Sequence, residues 1–354
     1  MYSPPKAGRG ALSNREGRYE STTRTVEDDG WTPLPTPAAP GTVVRPDHAR
    51  SVISRNDSPD VPFDQSVNPY RGCEHGCIYC FARTGHAWLG LSPGLDFETK
   101  LFFKADAAER LREELASPRY ACSPLAMGTY TDPYQPVEGR LRITRSILEL
   151  LRECRHPVSI VTKSALIERD LDLLGPMAAD GLASAAVSIT TLDDELKRRM
   201  EPRTSSPRRR LAVIRALSDA GVPVGALVAP VIPGLNDHEI ERIVAAVAAA
   251  GAHWAAYLVL RLPLEVKDLF REWLDAHYPE RAGRVMSLVR QARGGRDNDP
   301  RFGHRGRGTG AWADLLERRF EVALRRHGLT ARRAGALDTR LFRPPPTGGQ
   351  LSFL

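Results

Sequence analysis

The stretch NPYRGCEHGCIYCFAR, residues 68–83, places three of the chain's five cysteines within eight positions, at Cys73, Cys77 and Cys80. In a long chain, clustered thiols are more typical of metal ligands or catalytic groups than of disulfide bridges. The other two cysteines, Cys122 and Cys154, stand alone in apolar surroundings, where a free cysteine usually behaves as a small buried side chain. We therefore expect the chemistry of this protein at the three-cysteine stretch.

The spacing of the three cysteines separates the possible kinds of site. Structural zinc requires four ligands, usually in two Cys or Cys/His pairs; here the second pair is absent, and a fourth ligand would have to come from His75, His86 or elsewhere. A redox C-x-x-C motif needs no third cysteine. An iron–sulfur cubane usually takes four cysteines, so three thiolates leave one iron free to bind a small molecule.

Length and composition are those of a globular protein. The chain has 354 residues, of which 42% are hydrophobic and 26% charged, and this length allows one or two domains. The first residues contain no apolar stretch of the kind that a secretory signal needs. No apolar run approaches the roughly 18 residues that span a bilayer. We expect a cytoplasmic protein without a membrane segment.

From about residue 67 onward, short apolar runs alternate with amphipathic segments. The runs that predict strands include SPLAMGTYTD, HPVSIVTKS, GLASAAVSITT, GVPVGALVAPVIPG and AHWAAYLVLRLP. This alternation predicts right-handed βαβ units and a parallel sheet. With VNPYRG counted first, about six units are present, too few for an eight-fold barrel and enough for an open, partial one. Functional residues are expected at the carboxyl ends of the strands.

These features resemble the radical S-adenosylmethionine (SAM) superfamily, whose C-x3-C-x-Φ-C signature matches Cys73, Cys77, Tyr79 and Cys80. The resemblance spans roughly residues 65–300 and implies a partial (β/α)6 TIM-type barrel. It also implies a [4Fe–4S] cluster held by the three cysteines. The open iron would bind SAM, which is reductively cleaved to a 5′-deoxyadenosyl radical. On this interpretation, a fourth cysteine is absent because the iron that it would bind is the one that binds SAM.

Further motifs are similar to the spore photoproduct lyase-like branch, also described as DNA repair photolyase-like. They are NPYRGCEHGCIYCFAR, GLDFETKL, GTYTDPYQPVE, IVTKS and EPRTSSPRRRL. The expected organisation is a flexible segment over 1–60 that is disordered or lies over the core, and a radical SAM partial barrel over 61–275. A helical, basic extension over 276–343 and a tail over 344–354 follow.

The resemblance also implies which residues contact SAM. Arg203 would bind the carboxylate, because a guanidinium binds carboxylate in a bidentate manner. The other expected SAM contacts are Tyr79, Gly128, Thr131, Asp132, Lys163 and Ser188. The glycine pair and glutamate usual in the second strand loop of the superfamily are missing here. A strand-end Lys or Arg is also compatible with a solvated rim charge, and Thr131, Asp132 and Ser188 with turn or cap residues.

The substrate stays open at the level of sequence. Residues 281–343 hold 16 arginines and no lysine against 6 acids, so Arg281–Arg343 is a candidate for nucleic-acid binding. Arginine-rich helices are also commonly solvated faces. The alternatives are a protein or small-metabolite substrate, and a zinc- or cluster-stabilised nucleic-acid-binding protein without catalysis. The oligomeric state is left open.

Two further expectations concern the reaction. The resemblance implies an electron donor such as a flavodoxin or a ferredoxin. Spore photoproduct lyases carry an additional cysteine that returns a hydrogen atom to the product radical, and neither Cys122 nor Cys154 is placed for that role. Tyr130 and Tyr134 lie at the appropriate strand end, although aromatic packing is the simpler interpretation of both.

Overall fold

The computed structural model describes residues 8–20, 41–331 and 336–346. A seven-stranded sheet forms its centre, in the order β10-β9-β8-β7-β6-β3-β2, and a smaller sheet has the order β1-β5-β4. The strands are β1 (Val43–Pro46), β2 (Ile53–Arg55), β3 (Gln65–Val67), β4 (Tyr70–Arg71), β5 (Lys100–Phe103), β6 (Leu125–Met127), β7 (Val158–Thr162), β8 (Ala183–Ser188), β9 (Val224–Val231) and β10 (Trp254–Val259).

Helices follow the strands of the large sheet. The α-helices are α1 (Leu95–Thr99), α2 (Ala107–Leu115), α3 (Glu138–Leu141), α4 (Ile143–Glu153), α5 (Leu171–Ala179), α6 (Asp194–Met200), α7 (Pro207–Asp219), α8 (Ile240–Ala249), α9 (Val266–His277), α10 (Pro279–Gln291) and α11 (Ala311–Arg326). Three 3-10 helices span Phe81–Leu89, Ala165–Asp170 and Asp237–Glu239. In the described part of the chain, no helix is long and apolar enough to cross a membrane.

Six strands of the large sheet, β3 and β6 to β10, pair in parallel and in chain order. β2 adds an antiparallel strand at one edge, and β10 forms the other edge. The predicted partial (β/α)6 barrel is therefore confirmed as an open sheet of six βα units. All six residues of β8 are buried, as expected for the centre of a parallel sheet that is covered on both faces.

The main apolar core lies between this sheet and the outer helices, and α11 belongs to it. Phe320 of α11 is buried in this core, and its ring centroid lies 4.9 Å from that of Tyr257 on β10. Arg319 donates two hydrogen bonds to Glu241 of α8, at 2.7 and 2.8 Å. The last helix of the predicted basic extension thus packs on the barrel as an outer-layer helix.

A second apolar cluster joins α9 and α10 to the cysteine-rich stretch. Phe270 and Trp273 of α9 and Val285 of α10 belong to the same buried cluster as Ile78 and Tyr79. The tryptophan Nε1 also donates to the Arg199 carbonyl at 2.9 Å. Residues 266–291 therefore cover one side of the cysteine-rich stretch.

The predicted 1–60 segment lies over the core where the structure describes it. Ala11 and Leu12 are buried, and β1 and β2 each pair with a sheet strand. Residues 1–7 and 21–40, together with most of the predicted 344–354 tail, lie outside the described residues.

Candidate active site

The cysteine loop, residues 72–83, leaves the small sheet directly after β4. Gly72 has φ +76, and a Cβ there would lie 2.9 Å from the Phe97 carbonyl oxygen, so the turn requires glycine. The Cys73 amide donates to the same carbonyl at 3.0 Å. The Ile78 amide donates to the carbonyl of Met200 at 3.1 Å. The loop is thereby hydrogen-bonded to α1 and to the end of α6.

The three thiols of the loop are free, and those of Cys73 and Cys77 are buried. Burial raises the pKa of Cys73 and of Cys80, and it raises the pKa of Cys77 to about 12. A bound metal ion reverses this tendency, because its positive charge stabilises the coordinating thiolate. Three free thiols on one loop, two of them buried, thus fit a cationic iron–sulfur group, which would keep them deprotonated.

The described residues contain no group of three or more His, Cys, Asp or Glu side chains arranged around a single metal ion. His75, considered from the sequence as a further ligand, is directed at Asp132, with Nδ1 3.3 Å from Oδ2. His86 donates from Nε2 to the Lys100 carbonyl oxygen at 3.0 Å.

A buried ion pair between Arg83 and Glu98 holds the loop in shape. Both side chains are fully buried. Arg83 donates to the carbonyls of Cys77 at 2.9 Å and Gly76 at 3.0 Å, and to those of residues 93 and 94. A guanidinium that joins several loop carbonyls to one buried carboxylate fixes the backbone on which the cysteines lie.

The N-terminal segment completes the hydrogen bonding of Glu98. Its carboxylate accepts from the amides of Gly10 at 2.9 Å and Ala11 at 2.8 Å. A Cβ on Gly10 would lie 1.8 Å from the Gly76 carbonyl oxygen. The segment therefore packs directly against the backbone between the first two cysteines, and only glycine fits there.

The residues after β6 are joined to the loop and to the next strand. The Asp132 carboxylate accepts from Thr162 Oγ1 at 2.7 Å and from the Lys163 amide at 2.8 Å. Burial raises its pKa, but the proximity of His75 and these hydrogen bonds outweigh burial and lower it to about 2. The neighbouring Thr131 is buried and donates its hydroxyl to the Tyr70 carbonyl at 3.1 Å.

Gly128 is required by the neighbouring strand. Its φ is +84, and a Cβ would lie 1.9 Å from the carbonyl oxygen of Val161 on β7. The sequence analysis named this glycine as an expected SAM contact. In the structure, this glycine lies where the end of β6 closely approaches β7.

Glu201, just after α6, is the centre of a buried polar network. It accepts hydrogen bonds from the Tyr79 hydroxyl and from Arg210, and from Thr190 Oγ1 at 2.6 Å. Burial raises its pKa, but the charges of Arg210 and Lys163 and the hydrogen bonds outweigh burial and lower it to about 2. The Tyr79 ring is thereby fixed between the cysteine loop and the end of β8.

Lys163 follows β7, and its ammonium lies 5.9 Å from the centroid of the Tyr79 ring. No carboxylate among the described residues forms an ion pair with it. Ser188 ends β8 and is buried; its carbonyl accepts from Arg210 at 2.9 Å. Both residues lie at the carboxyl ends of adjacent strands, as the sequence predicted.

Arg203 is placed beside the cysteine loop. Its guanidinium lies 3.2 Å from Glu74 Oε1, and its amide donates to the His75 carbonyl at 3.4 Å. Glu74 also accepts from Thr42 Oγ1 at 2.7 Å. In this structure the partner of Arg203 is thus a carboxylate of the loop itself.

Sequence reasoning missed the buried residues that position the site, namely Arg83, Glu98, Glu201, Arg210 and Thr190. A signal was available for Glu201, because it opens the EPRT motif that was assigned to Arg203 alone. Arg83 and Glu98 stand in two quoted motifs, but only the fold shows that they form one ion pair.

The candidate hydrogen-atom donors differ in their surroundings. Tyr134 is fully buried in the main core and lies under Arg169, 6.0 Å from the ring centroid. Tyr130 is partly exposed next to Phe81 of the cysteine loop, at 6.3 Å between centroids. Cys154 is buried in the main core at the end of α4.

Many arginines of the basic segment, Arg281–Arg343, already have hydrogen-bonding or ion-pair partners. Arg290 pairs with Asp297 at 2.9 Å, Arg301 with Asp299 at 2.7 Å, and Arg307 with Glu317 at 2.6 Å. Arg305 pairs with Asp60, and Arg293 is buried and donates to four backbone carbonyls. These contacts reduce the charge that the segment presents to a polyanion.

Fold and site together define a protein class: an open parallel barrel with a loop that carries three free thiols, two of them buried. The profile of the Radical SAM superfamily matches residues 67–247. An uncharacterised protein of Mycobacterium tuberculosis is 40% identical over 233 residues, which cover 65% of this chain and 68% of that protein. The chain belongs to the radical SAM superfamily and is an enzyme that uses a [4Fe–4S] cluster and SAM.

Two more distant relatives extend this result. The Radical SAM Nalpha-GlyT isomerase of Pseudomonas phage M6 is 24% identical over 210 residues, covering 55% of this chain and 42% of that protein. Spore photoproduct lyase complexed with dinucleoside spore photoproduct has a TM-score of 0.57 at 17% identity, covering 81% of each chain. The structural likeness shows a shared fold, as the resemblance to the lyase-like branch predicted.

Proposed function

We propose that Cys73, Cys77 and Cys80 bind three irons of the [4Fe–4S] cluster and that SAM binds the fourth. The observation that carries this proposal is the position of three free thiols on one loop, two of them buried, whose backbone is fixed by Arg83 and Glu98. When bound, the cluster supplies the electron that cleaves SAM to the 5′-deoxyadenosyl radical. The chain holds the loop, excludes water from the thiols and orients SAM.

We further propose which residues at the strand ends bind each part of SAM. Lys163 has an ammonium that forms no ion pair with a described carboxylate, so it is available to a carboxylate or hydroxyl of SAM. Asp132 is held ionised and suits the methionyl amine. Arg203 reaches a SAM carboxylate by leaving Glu74. The remaining SAM contacts shape the pocket and offer backbone groups to SAM. They are Tyr79, Gly128, Thr131 and Ser188.

The reaction on the substrate is proposed to be lyase-like, on a nucleic-acid substrate. The support is the fold shared with spore photoproduct lyase and the basic composition of Arg281–Arg343. An electron donor such as a flavodoxin or ferredoxin would reduce the cluster. Free cysteines and an oxygen-sensitive cluster suit a reducing compartment such as the cytoplasm.

The proposal is tested with five single variants, each reconstituted anaerobically with iron and sulfide. Replacing Cys73, Cys77 or Cys80 with Ala should abolish cluster binding and 5′-deoxyadenosine formation from SAM and reductant. Cys122→Ala and Cys154→Ala are the matched controls and should retain the brown colour and the product. Full iron and sulfide content in Cys77→Ala would overturn the ligand assignment.

A further inference from the structure

Arg261 lies two residues beyond the end of β10, at the mouth of the barrel. Its Nε is buried and has no hydrogen-bond partner, and the guanidinium forms no ion pair with any described residue. Burial, together with the nearby charge of Arg305, lowers its pKa. The Nε is taken out of water and gains no hydrogen bond in exchange, and the contact that the guanidinium makes is with an aromatic ring. An anion bound there would supply that hydrogen bond.

The neighbouring charged groups do not neutralise Arg261. Asp60 is held by Arg305, which also donates to the Ser58 hydroxyl, and the Gly303 amide donates to Asp60 at 2.7 Å. Arg293 points its donors at backbone carbonyls, two of them on Val259 and the residue after it. Asp60 attracts Arg261 electrostatically but makes its ion pair with Arg305, so Arg261 has no ion-pair partner among the described residues.

An aromatic pair, Phe81 and Tyr130, lies beside this guanidinium. The Arg261 guanidinium carbon is 5.6 Å from the centroid of the Phe81 ring. Phe81 is 41% exposed and Tyr130 is 36% exposed, although aromatic side chains of this size are usually covered. Phe81 follows Cys80 directly, so a ring stacked on it would lie next to the cysteine loop.

The position of Tyr130 is fixed by the loop. A Cβ on Gly85 would lie 1.5 Å from the Tyr130 hydroxyl oxygen, and the Tyr130 amide donates to Asn68 Oδ1 at 3.2 Å. The absence of a side chain at Gly85 makes the room that the tyrosine occupies. Exposed rings held in place in this way are suited to stacking against a planar ligand.

We propose that Arg261 and the aromatic pair form the substrate-recognition site, in which Arg261 binds a phosphate and Phe81 stacks on a base of the same nucleotide. A guanidinium binds phosphate in a bidentate manner, and base stacking on an aromatic side chain contributes about 1–3 kcal/mol. The site is separate from the residues assigned to SAM and from the arginines of helices α10 and α11. The inference rests on the proposed function, which places the cluster beside this site.

The test is a binding measurement on the full-length, cluster-loaded protein. The probe is a short fluorescein-labelled single-stranded oligonucleotide, with uridine 5′-monophosphate, uridine and ribose 5-phosphate as competitors. We expect Arg261→Gln to weaken oligonucleotide binding by about tenfold or more and to lower the log–log salt slope by about 0.7. Phe81→Leu should weaken binding of the oligonucleotide and of uridine 5′-monophosphate but not of ribose 5-phosphate. Arg152→Gln, an exposed arginine of α4, is the control.

Two results would overturn the proposal. One is oligonucleotide affinity in Arg261→Gln and Phe81→Leu equal to that of the unaltered protein. The other is loss of SAM binding in Arg261→Gln, measured by equilibrium dialysis, with nucleotide binding intact, which would make the SAM carboxylate the anion. Failure of the proposed function is distinct, because the unaltered protein would then form no 5′-deoxyadenosine whatever it binds.

Discussion

Glu98 joins Arg83 of the cysteine loop to the amides of Gly10 and Ala11. Replacing it with Gln leaves the buried Arg83 charge without a counter-charge, which typically costs about 3–5 kcal/mol in a buried pair. We expect Glu98→Gln to lower the free energy of unfolding by that order and to reduce the iron content after reconstitution. Chemical denaturation and iron analysis measure the two effects.

The matched control is Glu153→Gln. Glu153 pairs with Arg112 at 2.6 Å, and both side chains are more than two-fifths exposed, so its loss should change stability by less than about 1 kcal/mol. Equal stability losses in the two variants would show that burial does not set the strength of the Arg83–Glu98 pair.

At the scale of single residues, the sequence singles out the candidate cluster ligands but not the residues that position them. The three cysteines stand out by spacing alone. The roles of Glu98 and Glu201 depend on partners brought together by folding. Glu201, for example, meets the Tyr79 hydroxyl across more than a hundred residues of sequence. No local pattern encodes such a contact.

Among the structural elements, the junction of β6 and β7 gives a direct steric prediction. Gly128→Ala places a methyl group in contact with the Val161 carbonyl and forces a residue with a side chain into positive φ. We expect destabilisation of about 1–3 kcal/mol and a lower Tm by calorimetry. Gly139→Ala on α3 is the control, because its Cβ would meet Leu166 at an ordinary 3.9 Å. A Tm shift of the same size in both variants would contradict the steric argument.

His156, between α4 and β7, gives an element-scale prediction about pH. It is buried, with its Nε2 2.7 Å from the Tyr120 hydroxyl, and burial lowers its pKa to about 4. In the unfolded chain a histidine has a pKa of about 6.5, so the unfolded state binds the proton first. Stability should therefore fall as the pH is lowered from about 6.5 to 4, by up to about 3 kcal/mol.

The measurement is the free energy of unfolding across that pH range for the unaltered protein and for His156→Gln. The variant has no group that titrates at this position, so its stability should fall less steeply with acid. If the free energies of unfolding of the two proteins fall equally steeply with acid, other groups cause the acid sensitivity.

The strands and helices of the barrel were predictable because apolar residues recur along them at regular intervals. The amphipathic pattern of ITRSILELLREC gives α4, and the run GLASAAVSITT gives β8. The small sheet of β1, β4 and β5 was not predicted. Its strands have two to four residues, and they pair only because the chain leaves the barrel to form the cysteine loop.

At the scale of the whole molecule, the basic segment separates into paired and exposed arginines. Arg281, Arg284 and Arg296 are exposed, and no carboxylate among the described residues pairs with them. If nucleic acid binds this segment, we expect these three to make the phosphate contacts. Their joint replacement with Gln should lower the log–log salt slope of oligonucleotide binding by about 0.7–0.9 per contact.

The comparison variant replaces Arg290, Arg301 and Arg307, whose charges are already paired. It should leave the salt slope unchanged and affect stability only slightly, because these are surface pairs. An unchanged slope in the exposed-arginine variant would remove the basic segment from the binding surface and leave the Arg261 site as the point of contact.

The cover of the cysteine loop comes from segments before and after it in the chain, and this has a consequence for how the enzyme is made. Gly10 and Ala11 leave the ribosome before the cysteines do, whereas α9 and α10 follow almost two hundred residues later. Until then one side of the loop stays open to the machinery that delivers iron and sulfide. Nascent chains stalled before Val266 should therefore accept a cluster faster than the finished protein does.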